Sequence, residues 1–216
     1  MALRFINDNG LFRLFGDNTA ELIELFPGPL TNIPGGVWLL GGNDTVIGSA
    51  ISELIVGNDG QDSISGGEGN DSLFGGKGND QLFGGAGDDF LSGDRDNDTL
   101  TGGQGSDTFA LSTGGGLDII TDFDNTTDYI QVPANLNISD ILIQTTGANT
   151  LLTLRSTGEQ LVQLNNVQAS SITTANLLAT QPPLQSTPTP VTRPDTPVFV
   201  PPDFSLPDSL ISLIPF

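Results

Sequence analysis

Eight acidic residues stand at intervals of nine through the middle of this chain: Asp44, Glu53, Asp62, Asp71, Asp80, Asp89, Asp98 and Asp107, with no insertion between them. Two residues after each acid comes an apolar side chain, in order Val46, Ile55, Ile64, Leu73, Leu82, Leu91, Leu100 and Phe109. Two residues before the acid stands Gly in six of the eight units, with Ile51 and Asp96 as the exceptions. The rows Gly66-Gly67-Glu68-Gly69-Asn70-Asp71-Ser72-Leu73-Phe74 and Gly75-Gly76-Lys77-Gly78-Asn79-Asp80-Gln81-Leu82-Phe83 show the pattern most cleanly, the acid being the sixth residue of each. A nine-residue period suits neither a long helix nor an alternating strand. It suits the half-turn of a solenoid, with about six turn residues and three strand residues, in which only the apolar row points inward. Glycine supplies the positive φ and close backbone approach that such turns need, and Asp96 is a tolerable substitute in the left-handed region.

Two nonapeptides then make one coil, and the strands stack in two parallel sheets. At a strand spacing of about 4.8 Å, the four coils of eight units form a stack about 19 Å tall with one aliphatic side chain per half-turn. Stacking places residue i beside residue i+18. One edge lines up Asp44, Asp62, Asp80 and Asp98; the other lines up Glu53, Asp71, Asp89 and Asp107. Carboxylates about 4 Å apart repel by about 4 kcal/mol at an effective dielectric near 20. Eight small core residues contribute about 1.5–3 kcal/mol each, against an ordering cost of about 1–2 kcal/mol for every residue of a glycine-rich chain. A divalent cation between rungs reverses the sign of the electrostatic contribution. The chain has 26 acidic and 6 basic residues, a net charge of −20, and neither Cys nor His. Its ligands are therefore carboxylate and carbonyl oxygens, a hard-cation set that favours Ca²⁺ over Mg²⁺, and binding would become folding free energy.

The Gly-Gly-x-Gly-x-Asp-x-apolar-x rows resemble the RTX, or hemolysin-type, calcium-binding nonapeptide repeats, clearly over residues 57–110 and faintly over 39–56. The resemblance implies an all-β fold, a right-handed parallel β-roll (a β-solenoid with two nonapeptides per coil). It also implies ions held between two loops of one edge: the second and fourth carbonyls and the acid of one loop, the first and third carbonyls and the acid of the loop one coil further on. Carried over, Asp71, Gly67 and Gly69 face Asp89, Gly84 and Ala86. Next on that edge, Asp89, Gly85 and Gly87 face Asp107, Gly102 and Gln104. On the opposite edge Asp62, Asn58 and Gly60 face Asp80, Gly75 and Lys77, and Asp80, Gly76 and Gly78 face Asp98, Gly93 and Arg95. A further site joins Asp44, Leu40 and Gly42 to Asp62, Gly57 and Asp59. The loop ending in Glu53 lacks the glycine pair, and its acid is one carbon longer, which argues against a site there. Four to six ions result. Residues 117–130 resemble the segment that follows the roll in serralysin-type C-terminal domains, where Asp118, Asp122, Asp124 and Asp128 either hold a further ion or form a solvated turn.

Composition divides the chain into an N-terminal cap (1–36), the roll (37–111), a C-terminal β capping region (112–180) and a Pro-rich tail (181–216) expected to be flexible and disordered. Residues 41–110 hold 18 of the 28 Gly, and residues 181–216 hold 10 of the 14 Pro. The apolar runs Leu3–Ile6, Leu11–Phe15 and Ala20–Phe26 fit either a short helix capped at Asp17, Asn18 or Thr19, or strands of a cap. Trp38 reads as a packing residue at the start of the first coil. Runs at Asp140–Gln144, Thr150–Arg155 and Gln160–Leu164 predict hairpins over the end of the stack. The apolar C-terminal peptide fits either an uncleaved export signal of the type I route or a segment that docks on a second copy or a partner.

Without Cys or His this sequence builds no disulfide, no His/Cys zinc site and no Ser-His or Cys-His nucleophile. Lys77 and five Arg make no surface for a nucleic-acid backbone. The first eight residues lack the apolar run of a secretory leader, and no apolar stretch is long enough to span a bilayer. The third-position row Asp59, Glu68, Lys77, Ala86, Arg95, Gln104 lacks the regularity of an ice-binding face. These readings favour a non-catalytic, secreted or cell-surface protein that binds calcium and takes a structural or interaction role. The alternatives are a self-assembling surface-layer or matrix module and a carbohydrate-active enzyme working with carboxylates alone. The latter needs an acid pair about 5–10 Å apart in a concave site away from every ion.

Overall fold

The computed structural model describes residues 4–8, 11–25 and 36–178, with backbone only over 4–8 and 11–15. The tail and the export or docking peptide lie outside the described residues. The chain enters as β1 (Arg4–Asp8) and β2 (Leu11–Phe15), an antiparallel pair, followed by β3 (Leu22–Glu24), β4 (Val37–Trp38) and β5 (Thr45–Ile47). Six longer strands follow: β6 (Leu54–Asp59), β7 (Ser63–Glu68), β8 (Ser72–Lys77), β9 (Gln81–Ala86), β10 (Phe90–Arg95) and β11 (Thr99–Gln104). Then come β12 (Thr108–Ala110), β13 (Asp118–Ile120), β14 (Tyr129–Gln131), β15 (Ile141–Thr146), β16 (Asn149–Leu154), β17 (Gln160–Leu164) and β18 (Leu177–Leu178). Among the described residues the only helices are 3₁₀ turns at Ile138–Asp140, Ala169–Ser171 and Thr174–Asn176. None of the described helices is long and apolar enough to cross a membrane.

Successive strands of the stack alternate between two nine-stranded sheets. One runs β1-β2-β4-β6-β8-β10-β12-β14-β18 and the other β15-β16-β17-β13-β11-β9-β7-β5-β3. The result is an all-β parallel solenoid of about five coils. Its register follows the two-nonapeptide coil: Ile55 pairs with Leu73, Leu73 with Leu91 and Leu91 with Phe109 in one sheet. Val46, Ile64, Leu82 and Leu100 pair in the other. All eight are 0–1% exposed, so the apolar row is the core. It continues past the repeats through Ile23, Ile120 and Ile130, which pair with Val46, Leu100 and Phe109. Phe123 packs its ring 6.1 Å from that of Phe109.

The strands differ from the three-residue expectation. In each complete repeat the ladder runs on through the glycine pair, so Gly67 pairs with Gly85 and Gly85 with Gly103. Burial alternates along β7 and β8, with the apolar residue and the glycine two places later both inside and the preceding acid also buried. Three positions per half-turn therefore face inward, and the carboxylates stand under the loops rather than on a solvated rim. The N-terminal segment is strand, not helix: β2 pairs with β4 and β3 with β5, so the sheets begin before the repeats do. At the other end β15, β16 and β17 form antiparallel pairs, and β17 joins the solenoid beside β13.

Candidate metal centre

Each acid of the register is tied to its neighbour by one hydrogen bond. On one edge the backbone N–H of Glu21 donates to Asp44 Oδ1 (2.7 Å), that of Asp44 to Asp62 (2.8 Å), Asp62 to Asp80 (2.8 Å), Asp80 to Asp98 (2.8 Å) and Asp98 to Asp118 (3.1 Å). On the other edge Glu53 donates to Asp71 (2.7 Å), Asp71 to Asp89 (2.8 Å), Asp89 to Asp107 (3.0 Å) and Asp107 to Asp128 (3.2 Å). These bonds fix every accepting side chain by one oxygen and leave the second to its surroundings.

For most of the column that second oxygen has no partner. Oδ2 of Asp44, Asp62, Asp71, Asp80, Asp89, Asp98 and Asp107 is buried and unbonded, as is Glu21 Oε2. The seven aspartates are 1–2% exposed. A buried polar atom without a partner costs about 1–3 kcal/mol, and more when charged, so seven in register form a donor set for cations. Oδ2 of Asp62, Asp71, Asp80, Asp89, Asp98 and Asp107 lies against the glycine that opens its own loop, Gly57, Gly66, Gly75, Gly84, Gly93 and Gly102 in turn. A methyl group added at Gly66, Gly75 or Gly84 would overlap Oδ2 of Asp71, Asp80 or Asp89, and would crowd the carbonyl of Gly84, Gly93 or Gly102 in the next rung. The side-chain-free first glycine thus lets the carboxylate and the next-rung carbonyl oxygen approach the same point of the backbone.

The other residues implied by the resemblance are placed as follows. The carbonyls of Asn58, Gly67 and Gly85, at second positions, lie against the glycine of the following rung, as do those of Gly60, Gly69 and Gly87 at fourth positions. Third-position carbonyls of Lys77, Ala86 and Gln104 face the preceding rung and accept the N–H of Gly60, Gly69 and Gly87, each at 2.8 Å. A carbonyl keeps a second lone pair after one such bond. Arg95 departs from this pattern, because the N–H of Gly78 donates to Asp96 Oδ2 (3.1 Å). Asn58, Asp94 and Asp96 replace glycine at positive φ (73°, 73° and 74°), the left-handed region that Asn and Asp tolerate. Lys77 pairs with Asp59 at 2.8 Å on the exposed face, an interaction worth little to stability.

Glu53 behaves differently. Its carboxylate is occupied by the hydroxyl and N–H of Ser49 in its own loop, so it presents no unbonded oxygen. Asp118 and Asp128 terminate opposite edges and do not face one another. Asp122 accepts the N–H groups of Gly102 and Gly103 (3.0 and 2.9 Å), while Asp124 is bonded to Thr126. The four acids of residues 118–128 are therefore distributed over different tasks, and among the described residues no three acidic side chains converge as a metal cluster. What the columns do bring together is two carboxylates of successive rungs with nearby backbone carbonyl oxygens. Glu21 and Asp118 extend a column that a strict nine-residue count does not reach, since they lie 23 and 20 residues from their neighbours; a Gly five residues before Glu21 is the one sequence signal of its loop.

Burial raises the proton affinity of these carboxyls. Desolvation pushes Asp80 and Asp107 up to about 7 and Asp89 up to about 6, each opposed by the hydrogen bond from the preceding acid's N–H. Asp71, Asp98 and Asp118 are raised for the same reason, with neighbouring carboxyls adding to the shift in Asp71 and Asp98. A group arranged this way either holds a proton or meets a positive charge.

Three overlapping stretches, residues 47–82, 74–109 and 83–120, match the family model for the RTX calcium-binding nonapeptide repeat. No curated protein sequence is similar to the chain. Solved structures with some likeness include the AlgE6R3 subunit of the Azotobacter vinelandii mannuronan C5-epimerase (25% identity, 73% of this chain and 92% of that one, TM-score 0.42). The AlgE6R2 subunit of the same enzyme is 28% identical over 63% of this chain and 94% of its own, with a TM-score of 0.36. The extracellular lipase LipA from Serratia marcescens is 19% identical, with 64% of this chain matched to 40% of the lipase and a TM-score of 0.31. Residues 47–120, the stretch of the solenoid that runs through Glu53 to Asp118 of the columns, carry RTX calcium-binding nonapeptide repeats.

Proposed function

We propose that this is a non-catalytic, secreted calcium-binding β-roll whose folding is coupled to ions held between stacked loops. The observation that carries the reading is the row of seven buried, unbonded Oδ2 atoms, six of them packed against a loop-opening glycine with backbone carbonyl oxygens close by. The ions bring the positive charge that the columns lack. The chain's own part is to present Asp44 with Asp62, Asp62 with Asp80 and Asp80 with Asp98 on one edge, and Asp71 with Asp89 and Asp89 with Asp107 on the other. Loop carbonyls complete each set, giving five sites. Glu53 is spent on Ser49 and adds none.

This coupling supports a life outside the cell. Where Ca²⁺ is scarce, the columns repel and the glycine-rich segment stays open, a state suited to export by a type I route. Where Ca²⁺ is abundant, the roll closes. The closed roll would then serve a structural or interaction role at a cell surface or in the surrounding matrix. A surface concavity of about 650 Å³ is lined in part by Asp94, Asp96, Lys77 and Arg95. Its two carboxylates belong to the loop that ends in Asp98, so it does not offer an acid pair remote from the ion columns.

A calcium titration of metal-stripped full-length protein at pH 7.5, followed by far-ultraviolet circular dichroism, tests the reading. The expected result is a cooperative change from coil-like to β signal that chelation reverses, with no comparable effect of Mg²⁺. A β spectrum unchanged by exhaustive chelation at that pH would overturn it.

A further inference from the structure

The family match begins at residue 47, yet the hydrogen-bond pattern of the loops begins earlier. Gly16-Asp17-Asn18-Thr19-Ala20-Glu21 has little of the repeat in its sequence, but it sits on Leu39–Asp44 as the repeats sit on one another. The N–H of Gly41 donates to the Asp17 carbonyl (3.1 Å), as that of Glu68 does to Ser49 (2.8 Å). The N–H of Thr45 donates to the Glu21 carbonyl (2.7 Å), as that of Ser63 does to Asp44 (2.8 Å). The N–H of Glu21 donates to Asp44 Oδ1, as each acid does to the next. The Thr19 carbonyl lies against Gly42, whose φ of +115° keeps it free of a side chain there.

Glu21 repeats the electronic situation too. It is 4% exposed. Its Oε1 is held by the N–H of Asp17 (2.8 Å), whereas Oε2 is buried, unbonded and aimed at Gly16, where an added methyl would overlap it. Glu53 shows that a glutamate in this register need not be left so, because Ser49 satisfies it. Gly16, Asp17 and Glu21 have no such donor for Oε2.

We infer that Glu21 and Asp44, with backbone carbonyls of the Gly16–Glu21 loop, hold an additional divalent cation that latches the N-terminal segment onto the first coil. The inference rests on the reading of the repeat loops as calcium sites and adds one outside the repeats. The ion would make docking of β3, and of the chain leading into it, a calcium-dependent event separate from closure of residues 47–120.

The test uses the full chain, metal-stripped and then titrated with CaCl₂. Bound ions are counted by equilibrium dialysis, and amide hydrogen exchange is followed over residues 11–25 and 47–120. Glu21→Gln keeps the acceptor for the Asp17 N–H and removes the charge. It is expected to bind one ion fewer than wild type and to lose calcium-induced protection over 11–25 at least tenfold, while 47–120 is protected as before. Gly16→Ala, a substitution outside the positive-φ region whose methyl would overlap Oε2 and displace it, is expected to do the same. Unchanged ion count and protection in both variants would overturn the latch while leaving the repeat sites intact. A wild type that binds no Ca²⁺ would overturn both readings. Should Glu21→Gln lose protection throughout, Gly16→Ala decides by its ion count.

Discussion

The two glycines that open each loop have different tasks, and substitution separates them. Gly84 has no positive φ; an alanine methyl there would intrude on Asp89 Oδ2 and the Gly102 carbonyl. Gly85 has φ of +118°, and its methyl would strike the backbone carbonyl of Gly67 in the rung before. Gly84→Ala is therefore expected to weaken calcium binding roughly tenfold or more at one site, with high Ca²⁺ restoring most of the β signal. Gly85→Ala should lower stability by about 1–3 kcal/mol even at saturating Ca²⁺, as read by urea denaturation. Equal calcium rescue of both would count against the division of labour. Residue by residue, the acid and apolar rows were legible because a fixed spacing survives in the sequence. The places of Glu21, Asp118 and Asp128 in the columns were not, because their loops differ in length from the repeat: the backbone bonds restore a register that counting cannot see. The second-position Asn58 and Asp94 stand visibly where the repeat has glycine, and the structure adds that both keep its positive φ.

At the scale of the strand, the length of β6 to β11 follows from where the chain can stay paired. The short apolar half predicted from the repeat is real, but glycine at positive φ continues the ladder instead of ending it. Propensity rules treat a Gly pair as a turn, and the stacked rung overrides them. Each core residue is consequently gripped from both sides within its own sheet, as Leu82 is by Ile64 and Leu100. Leu82→Ala would open a gap in the middle of a core only one large side chain deep per half-turn. Such truncations cost about 2–5 kcal/mol, so the urea midpoint of the calcium-loaded protein should fall sharply, with the number of bound ions unchanged at saturation. A midpoint within error of wild type would mean that the ions, not the apolar row, carry the stability of the loaded roll. The N-terminal runs, which fitted helix or strand equally in isolation, become strands because the first coil offers β2 and β3 sheet edges.

For the whole molecule, the columns make stability depend on pH in opposite directions with and without metal. In the metal-free roll, burial holds Asp80 and Asp107 near 7 and Asp89 near 6, against about 3.9 for an unfolded aspartate. Between these limits the folded chain binds more protons than the unfolded one, so stability falls as pH rises. The contribution is complete below about pH 4 and is lost as pH passes through about 6 to 7. The net charge of −20 adds self-repulsion of the same sign at neutrality. Calcium needs the ionised carboxylates, so its uptake expels protons and its apparent affinity rises with pH. Metal-stripped protein is thus expected to show β structure at pH 4.5 to 5, at dilution sufficient to limit association near its pI of about 4.1, and to lose it by pH 8. Calcium-loaded protein should be most stable at pH 8. Circular dichroism across this range on matched stripped and loaded samples measures both slopes. Parallel slopes would mean that the unbonded oxygens are not where protons and calcium compete, and the carboxylate columns would then be a consequence of the fold and not its switch.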